Sequence, residues 1–202
     1  MYGKQGRQSL GSGVSGPLRL DGAGALVTSG YFGKYAEATL QGKVFVAANQ
    51  AKVAVTADFA TTYTGLVVEN PAGSGKNLIM IGFSYAAEEA VATAVGLGLM
   101  TGADAGDAAA AIVPRNRLKG NGTVSVAIVD NGCTLVGTPV LEQLITTAWA
   151  EATTAGTLAQ PNVIDLDGSL IITPGYYVAV MATAAVAASM LFGFMWIEED
   201  AE

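Results

Sequence analysis

Few side chains in this 202-residue sequence have the type and spacing that chemistry requires. The first candidate is the run NPAGSGKN at residues 70–77. A phosphate-binding loop needs Gly, four residues, then Gly-Lys-Ser/Thr, with the hydroxyl reserved for magnesium. Asn70 and Asn77 stand at the two ends here, so both positions fail. The segment also joins two strand-like runs, whereas a phosphate loop leads into a helix whose N-terminus holds the anion. It reads as a Gly-rich hairpin loop.

Carboxylates give the second candidate. Asp104 with Asp107, and Asp165 with Asp167, are the closest loop pairs. Calcium takes six to eight oxygens, and neither segment has the acidic spacing or closing Glu of a calcium loop. Acids two or three residues apart in Gly-rich loops do not imply the facing carboxylates of a glycosidase either. They read as solvated turn acids. Histidine is absent from the whole sequence. That removes the usual general base, the commonest metal ligand and the ordinary pH switch together. Ser-based nucleophilic catalysis loses its partner, and no residue calls for lysine-based or acid-only catalysis. The single cysteine, Cys133, excludes an intrachain disulfide and a Cys-rich zinc site. It follows Asp130-Asn131-Gly132, which looks like a turn entering a strand, and it reads as a buried, inert thiol. No cofactor, metal, small-molecule substrate or enzymatic activity is expected.

The last candidate is aromatic. Tyr176, Tyr177, Phe192, Phe194 and Trp196 cluster near the C-terminus. They could line a ligand pocket, but such clusters more often form core or a subunit interface, which is the expectation here.

The elements that must position these residues are short strands. Residues 52–56 alternate, 65–69 form a run stopped by Asn70-Pro71, and 77–85 read as a central strand. Residues 36–48 suggest strands around a hairpin or bulge at Gln41-Gly42. Residues 90–100 are weaker, with Gly96 and Gly98 inside. Asp107 is placed to cap one helical turn over 108–111, stopped by Pro114. Residues 123–129 alternate between two Asn-Gly turn signals. Residues 143–152 suit either a strand or a helix, and 162–173 suggest two short strands around Asp167-Gly168.

The uncharged run at 175–197 is long enough to span a bilayer. However, its flanks carry Glu198, Glu199, Asp200 and Glu202 with no nearby Lys or Arg, unlike the basic flank of a membrane helix. Tyr176 to Met181 suit a pleated surface, residues 190–197 are bulky as in a strand covered on both faces, and 183–189 are small. Two adjacent strands folded back on each other are expected, and no membrane association. The acidic tail would solvate the strand end.

Eight to ten short strands without βαβ alternation indicate an all-β fold, an antiparallel sandwich or barrel. An eight-stranded jelly-roll-like sandwich over residues 31–202 fits best. Residues 1–30, with eight glycines and four serines, cannot form a core and read as an extended N-terminal arm or a loose terminus. Residues 1–52 hold six basic and two acidic side chains, a balance of +4, against −11 for the remainder. Such an arm, with Lys4, Arg7 and Arg19, suits docking on something acidic. Nucleic acid is a poorer match, because the basic residues are scattered without an aromatic platform. The start, MYGKQGRQSL, offers no apolar core for a secretory signal. Finally, only 13% of residues are charged while 51% are apolar. A free monomer normally covers itself with charge, so neighbouring copies or a larger assembly should cover part of this one.

Two segments resemble structural proteins of tailed bacteriophages. One is GLVVENPAGSGKNLIM at residues 65–80; the other is ITPGYYVAV at 172–180 with FMWIEE at 194–199. The resemblance covers about a sixth of the chain and carries no catalytic residues. It implies a jelly-roll-like virion protein made in the host cytoplasm and placed on the capsid surface. The most specific form is a decoration, or cement, protein that assembles as a homotrimer and bridges copies of the major capsid protein to stabilise the head. A receptor-binding head or tail-fibre domain is the alternative, and a small β-sandwich enzyme or ligand binder is the third possibility.

Overall fold

The uncharged C-terminal run folds as two strands, but they are not paired with each other. They occupy the centres of two different sheets. The computed structural model describes residues 33–87, 94–146 and 162–201. The chain divides into two units, Met1–Glu37 and Ala38–Glu202. The arm boundary drawn after residue 30 lies outside the described residues.

One short helix, α1 (Ala36–Leu40), precedes eleven strands: β1 (Val44–Ala48), β2 (Val53–Val55), β3 (Thr62–Asn70), β4 (Lys76–Ala87), β5 (Leu97–Ala103), β6 (Arg115–Asn116), β7 (Ile128–Thr134), β8 (Val140–Leu144), β9 (Asn162–Ile172), β10 (Tyr176–Ala182) and β11 (Val186–Asp200). They form two antiparallel sheets. The first runs β6-β1-β11-β4-β9, with β2 also on β11; the second runs β7-β3-β10-β5-β8. The fold is therefore an antiparallel β-sandwich. No helix among the described residues is long and apolar enough to cross a membrane.

Leaving aside β2, β6 and β7, the remaining eight strands pair as a nest. The first pairs with the last (β1–β11), the second with the seventh (β3–β10), the third with the sixth (β4–β9) and the fourth with the fifth (β5–β8). Most connections consequently cross from one sheet to the other. That overturns two local expectations. The 71–75 loop is not a hairpin, because β3 and β4 lie in opposite sheets. Residues 183–185 likewise carry the chain across the sandwich from β10 to β11.

Four more expectations give way to side-chain chemistry. Residues 36–40 are helical, not extended: Ala, Glu and Leu are good helix formers, and Gly42 ends the helix at φ 73°. Lys43 N–H donates to Ala38 O and Gly42 N–H to Thr39 O, the paired bonds of a Schellman stop. The strand expected at 123–129 instead starts at Ile128 and runs through Asp130-Asn131-Gly132, so Cys133 lies inside a strand. Asp130 is buried and its Oδ1 accepts the N–H groups of Asn131 and Gly132. The β3–β7 register shifts beside this motif, with the extra residue on β3, where Gly65 and Leu66 oppose Asn131, so the motif continues the strand in place of a turn. Asp107 caps no helix; its carboxylate accepts the Thr134 N–H instead. Finally, 162–172 is one strand, interrupted by a register shift where Asp167 and Gly168 have φ of 52° and 76°.

The core lies between the sheets. The first sheet contributes large side chains: Phe45, Leu78, Met80, Phe83, Phe192, Phe194 and Trp196. The second contributes Leu66, Val68, Leu97, Leu99, Val178 and Val180. Aromatic rings on one side meet branched aliphatic groups on the other, the interdigitation that dense packing needs. Phe83 centres the aromatic group, 5.0 Å from Phe194 and 6.1 Å from Phe192 by ring centroid, and Phe45 stacks on Trp196 at 6.4 Å.

Candidate interaction surfaces

The Gly-rich loop at 71–75 is a buckle between sheets. Asn70 is fully buried, and its Nδ2 donates to Lys76 O at 2.7 Å and Ile172 O at 2.8 Å. Ser74 Oγ donates to Asn70 Oδ1 at 2.6 Å. Lys76 Nζ pairs with Asp200, a bond that raises the lysine pKa and lowers that of the aspartate. The groups a phosphate would need are thus committed to holding β3, β4, β9 and β11 together.

The C-terminal acids are likewise structural. Glu198 is buried; its Oε1 accepts from Ser125 Oγ at 2.5 Å, Val126 N at 3.2 Å and Trp196 Nε1 at 3.3 Å. Glu199 pairs with Lys43 at 2.5 Å. The expected solvating tail is therefore a set of ties from the end of β11 to the 123–127 segment and to the starts of β1 and β4. A buried carboxylate survives because several donors replace its water.

The loop acids belong to a strap. The strap, residues 104–112, packs Ala105 and Ala108 on the outer face of the second sheet among Tyr63, Val67, Met100, Cys133, Tyr177, Ala179 and Met181, and its end, Ile112, turns into the core between the sheets. Acids latch it down. Asp130 Oδ2 accepts the Ala109 N–H at 2.7 Å, Asp104 Oδ1 accepts the Gly106 N–H at 2.8 Å, and Glu69 takes a backbone bond from Ala105. Burial and the neighbouring Asp104 carboxylate raise the Glu69 pKa above its ordinary value, which the Ala105 bond offsets in part. Among the described residues no group of three or more His, Cys, Asp or Glu side chains could hold a metal. Burial, together with Asp130, Asp107 and Glu69, pushes the Cys133 thiol up to about 12, so a nucleophilic thiolate is suppressed.

Two tyrosines lie under the strap in different states. Tyr63 Oη donates toward Val180 O at 2.9 Å and Leu66 O at 3.1 Å, and accepts the Val180 N–H at 3.1 Å. The Tyr177 hydroxyl is buried without a hydrogen-bond partner. It rests over Gly102, where a Cβ would lie 2.5 Å from the oxygen, so only glycine leaves room.

The five aromatic residues singled out from sequence therefore separate. Phe192, Phe194 and Trp196 belong to the core between the sheets, and Tyr177 to the cluster under the strap. Tyr176 is at the surface, 50% exposed. The basic arm residues Lys4, Arg7 and Arg19 lie outside the described residues.

The sequence reading missed a second surface, the outer face of the first sheet. Register rows place Ile197, Ile79 and Ile171 side by side, then Met195 between Val46 and Gly82, then Gly193 between Ala48 and Ser84. Most of these are half-buried, while Ile171 and Val163 are open to solvent. The doubly apolar pattern of residues 190–197 was the available signal, since such a strand has two faces to cover. No protein-family model, curated protein or solved structure matches this chain.

Proposed function

We propose that this chain is a structural virion protein, a capsid decoration protein that forms a homotrimer and clamps neighbouring copies of the major capsid protein on a tailed-bacteriophage head. The nested pairing of eight strands carries the reading. A hairpin four strand-pairs long, rolled into two facing sheets, supports a jelly-roll-like reading, an architecture used by viral capsid and lectin domains. Polar side chains that looked chemical, and others that looked merely solvated, support a passive role. Lys76, Asp104, Asp107, Asp130 and Glu198 are bound to backbone or to each other's strands. A clamp of this kind stabilises a shell by contacts made only in the assembled particle, on the capsid surface.

The basic, Gly-rich arm is assigned to the shell lattice. The test is co-sedimentation of purified chain with decoration-free phage heads, comparing the full sequence with a form lacking residues 1–30. Binding by the full chain and its loss in the shortened one, with folding and oligomeric mass kept, is the expected result. Undiminished binding refutes the arm's role. Binding to host cells or glycans without binding to heads replaces this function with a receptor-binding domain.

A further inference from the structure

The two sheets offer opposite outer surfaces, and the difference points to a partner. The second sheet's outer face is sealed by the strap and by Leu135 and Phe59. The first sheet's outer face is as apolar, but Val46, Ile79, Leu191, Met195 and Ile197 belong to neither buried cluster and stay partly exposed, while its β1 corner, Val44 beside Ile197, is buried. Across β1, β11, β4 and β9 it presents Val46, Ile79, Ile171, Leu191, Met195 and Ile197, with Ala48, Gly82, Ser84, Ala86 and Gly193 keeping its middle flat. Val163 is 80% exposed and Ile171 52% exposed at its β9 margin. With strands about 4.8 Å apart and about 3.4 Å of rise per residue, the face measures roughly 500 Å² in projection. That is within the ~300–600 Å² at which a largest apolar patch is often functional, and over half of the ~800 Å² each side gives to a standard interface.

We infer that this face is where neighbouring copies of the chain meet, sheet against sheet. Charge decides the occupant. Arg115 on β6 and Asp165 on β9 stand at the two ends of the Val46–Met195–Gly82 row, and no ionisable side chain lies between them in that row. A basic or acidic partner would find almost nothing to pair with there, whereas an identical neutral face is matched in chemistry and flatness. The low charged fraction of the whole chain, 13%, agrees with surface withheld from water by self-association. A face that meets its own copy makes a two-fold contact, so the inference takes from the proposed function only self-association, not the threefold, and is independent of the head.

Light-scattering mass after size exclusion tests it on the full chain. Wild type is expected at an even multiple of the monomer mass, as a two-fold contact requires. Ile171→Lys with Met195→Lys should give monomer and weaken association by at least roughly a hundredfold, because each buries an unpaired ammonium in the contact. Ile171→Lys and Val163→Lys alone, at already exposed positions, should weaken it without disturbing the fold, read from the near-ultraviolet signal of buried Trp196. Val113→Lys, 71% exposed on a loop outside this face, should change nothing. A wild type of one copy or of three, or an oligomer that survives the double change, overturns the inference. Loss of the oligomer in the double variant, with wild type failing to bind heads, keeps this face and removes the capsid role.

Discussion

The outer faces of the two sheets are built from similar residues and finished differently. On the second sheet, Met100, Ala179, Met181 and Val67 lie beneath the chain's own 104–112 strap, pinned by carboxylates. On the first, Met195, Ile79 and Ile197 form a comparable layer that remains half open. A strand with apolar residues on both faces asks for a layer on each side. The chain supplies one layer through a loop, and the other is the one proposed to be completed by a neighbouring copy. Intramolecular and intermolecular burial would thus solve the same hydration problem on opposite sides of one sandwich.

The sharpest test of that contrast is a pair of truncations at matched residues. Met100→Ala should lower stability by about 2–5 kcal/mol, since the side chain is fully buried under the strap and leaves a cavity. Met195→Ala should change the stability of the isolated subunit by less than about 1 kcal/mol. Urea unfolding at low protein concentration measures both, and equal losses would abolish the distinction between the faces.

A smaller effect separates the strap from the sheet it covers. Asp130→Ala removes the acceptor for three backbone N–H groups, those of Ala109, Asn131 and Gly132. The expected loss is about 0.5–1.5 kcal/mol, the net worth of a typical hydrogen bond, because these donors sit on exposed residues where water can replace the carboxylate. Faster amide exchange at Ala109 than in β10 would show the strap lifting before the sheet opens. Exchange rising equally in both would mean that strap and sheet open as one unit.

The smallest predicted effect concerns pH. Glu69 holds its proton more tightly folded than unfolded, because burial and the Asp104 carboxylate disfavour its charge. Its contribution is therefore most favourable below the ordinary value of 4.5 and declines as the pH rises through the folded value, beyond which it is constant. Glu69→Gln should flatten the fall of the urea midpoint as the pH rises from the ordinary value of 4.5 through the higher folded value. Parallel curves for the two proteins would place the pH dependence elsewhere.

Much of the strand content was legible because alternation and turn residues act locally. The runs at 52–56, 65–69 and 77–85 appear as β2, β3 and β4, displaced only at their ends. The burial of Cys133, Tyr177, Phe192, Phe194 and Trp196 followed from residue type. Turn signals misled in a consistent way. Asn70-Pro71 and the small residues after Ala182 marked where the chain reverses, but not which sheet receives the next strand. Asp130-Asn131-Gly132 looked like a turn because an unpaired Asp is normally solvated; burial against the strap made it a latch.

The sequence alone determined the composition of the layers: uncharged apolar strands, small connecting residues, no histidine and a single thiol, all properties of individual side chains and their immediate neighbours. Tertiary structure decided the nested pairing, the strap across one outer face and the exposure of the other. Each of these depends on contacts between residues far apart in the chain, such as Asp130 with Ala109 or Ile79 with Ile171 and Ile197, and a local pattern carries no record of its distant partner.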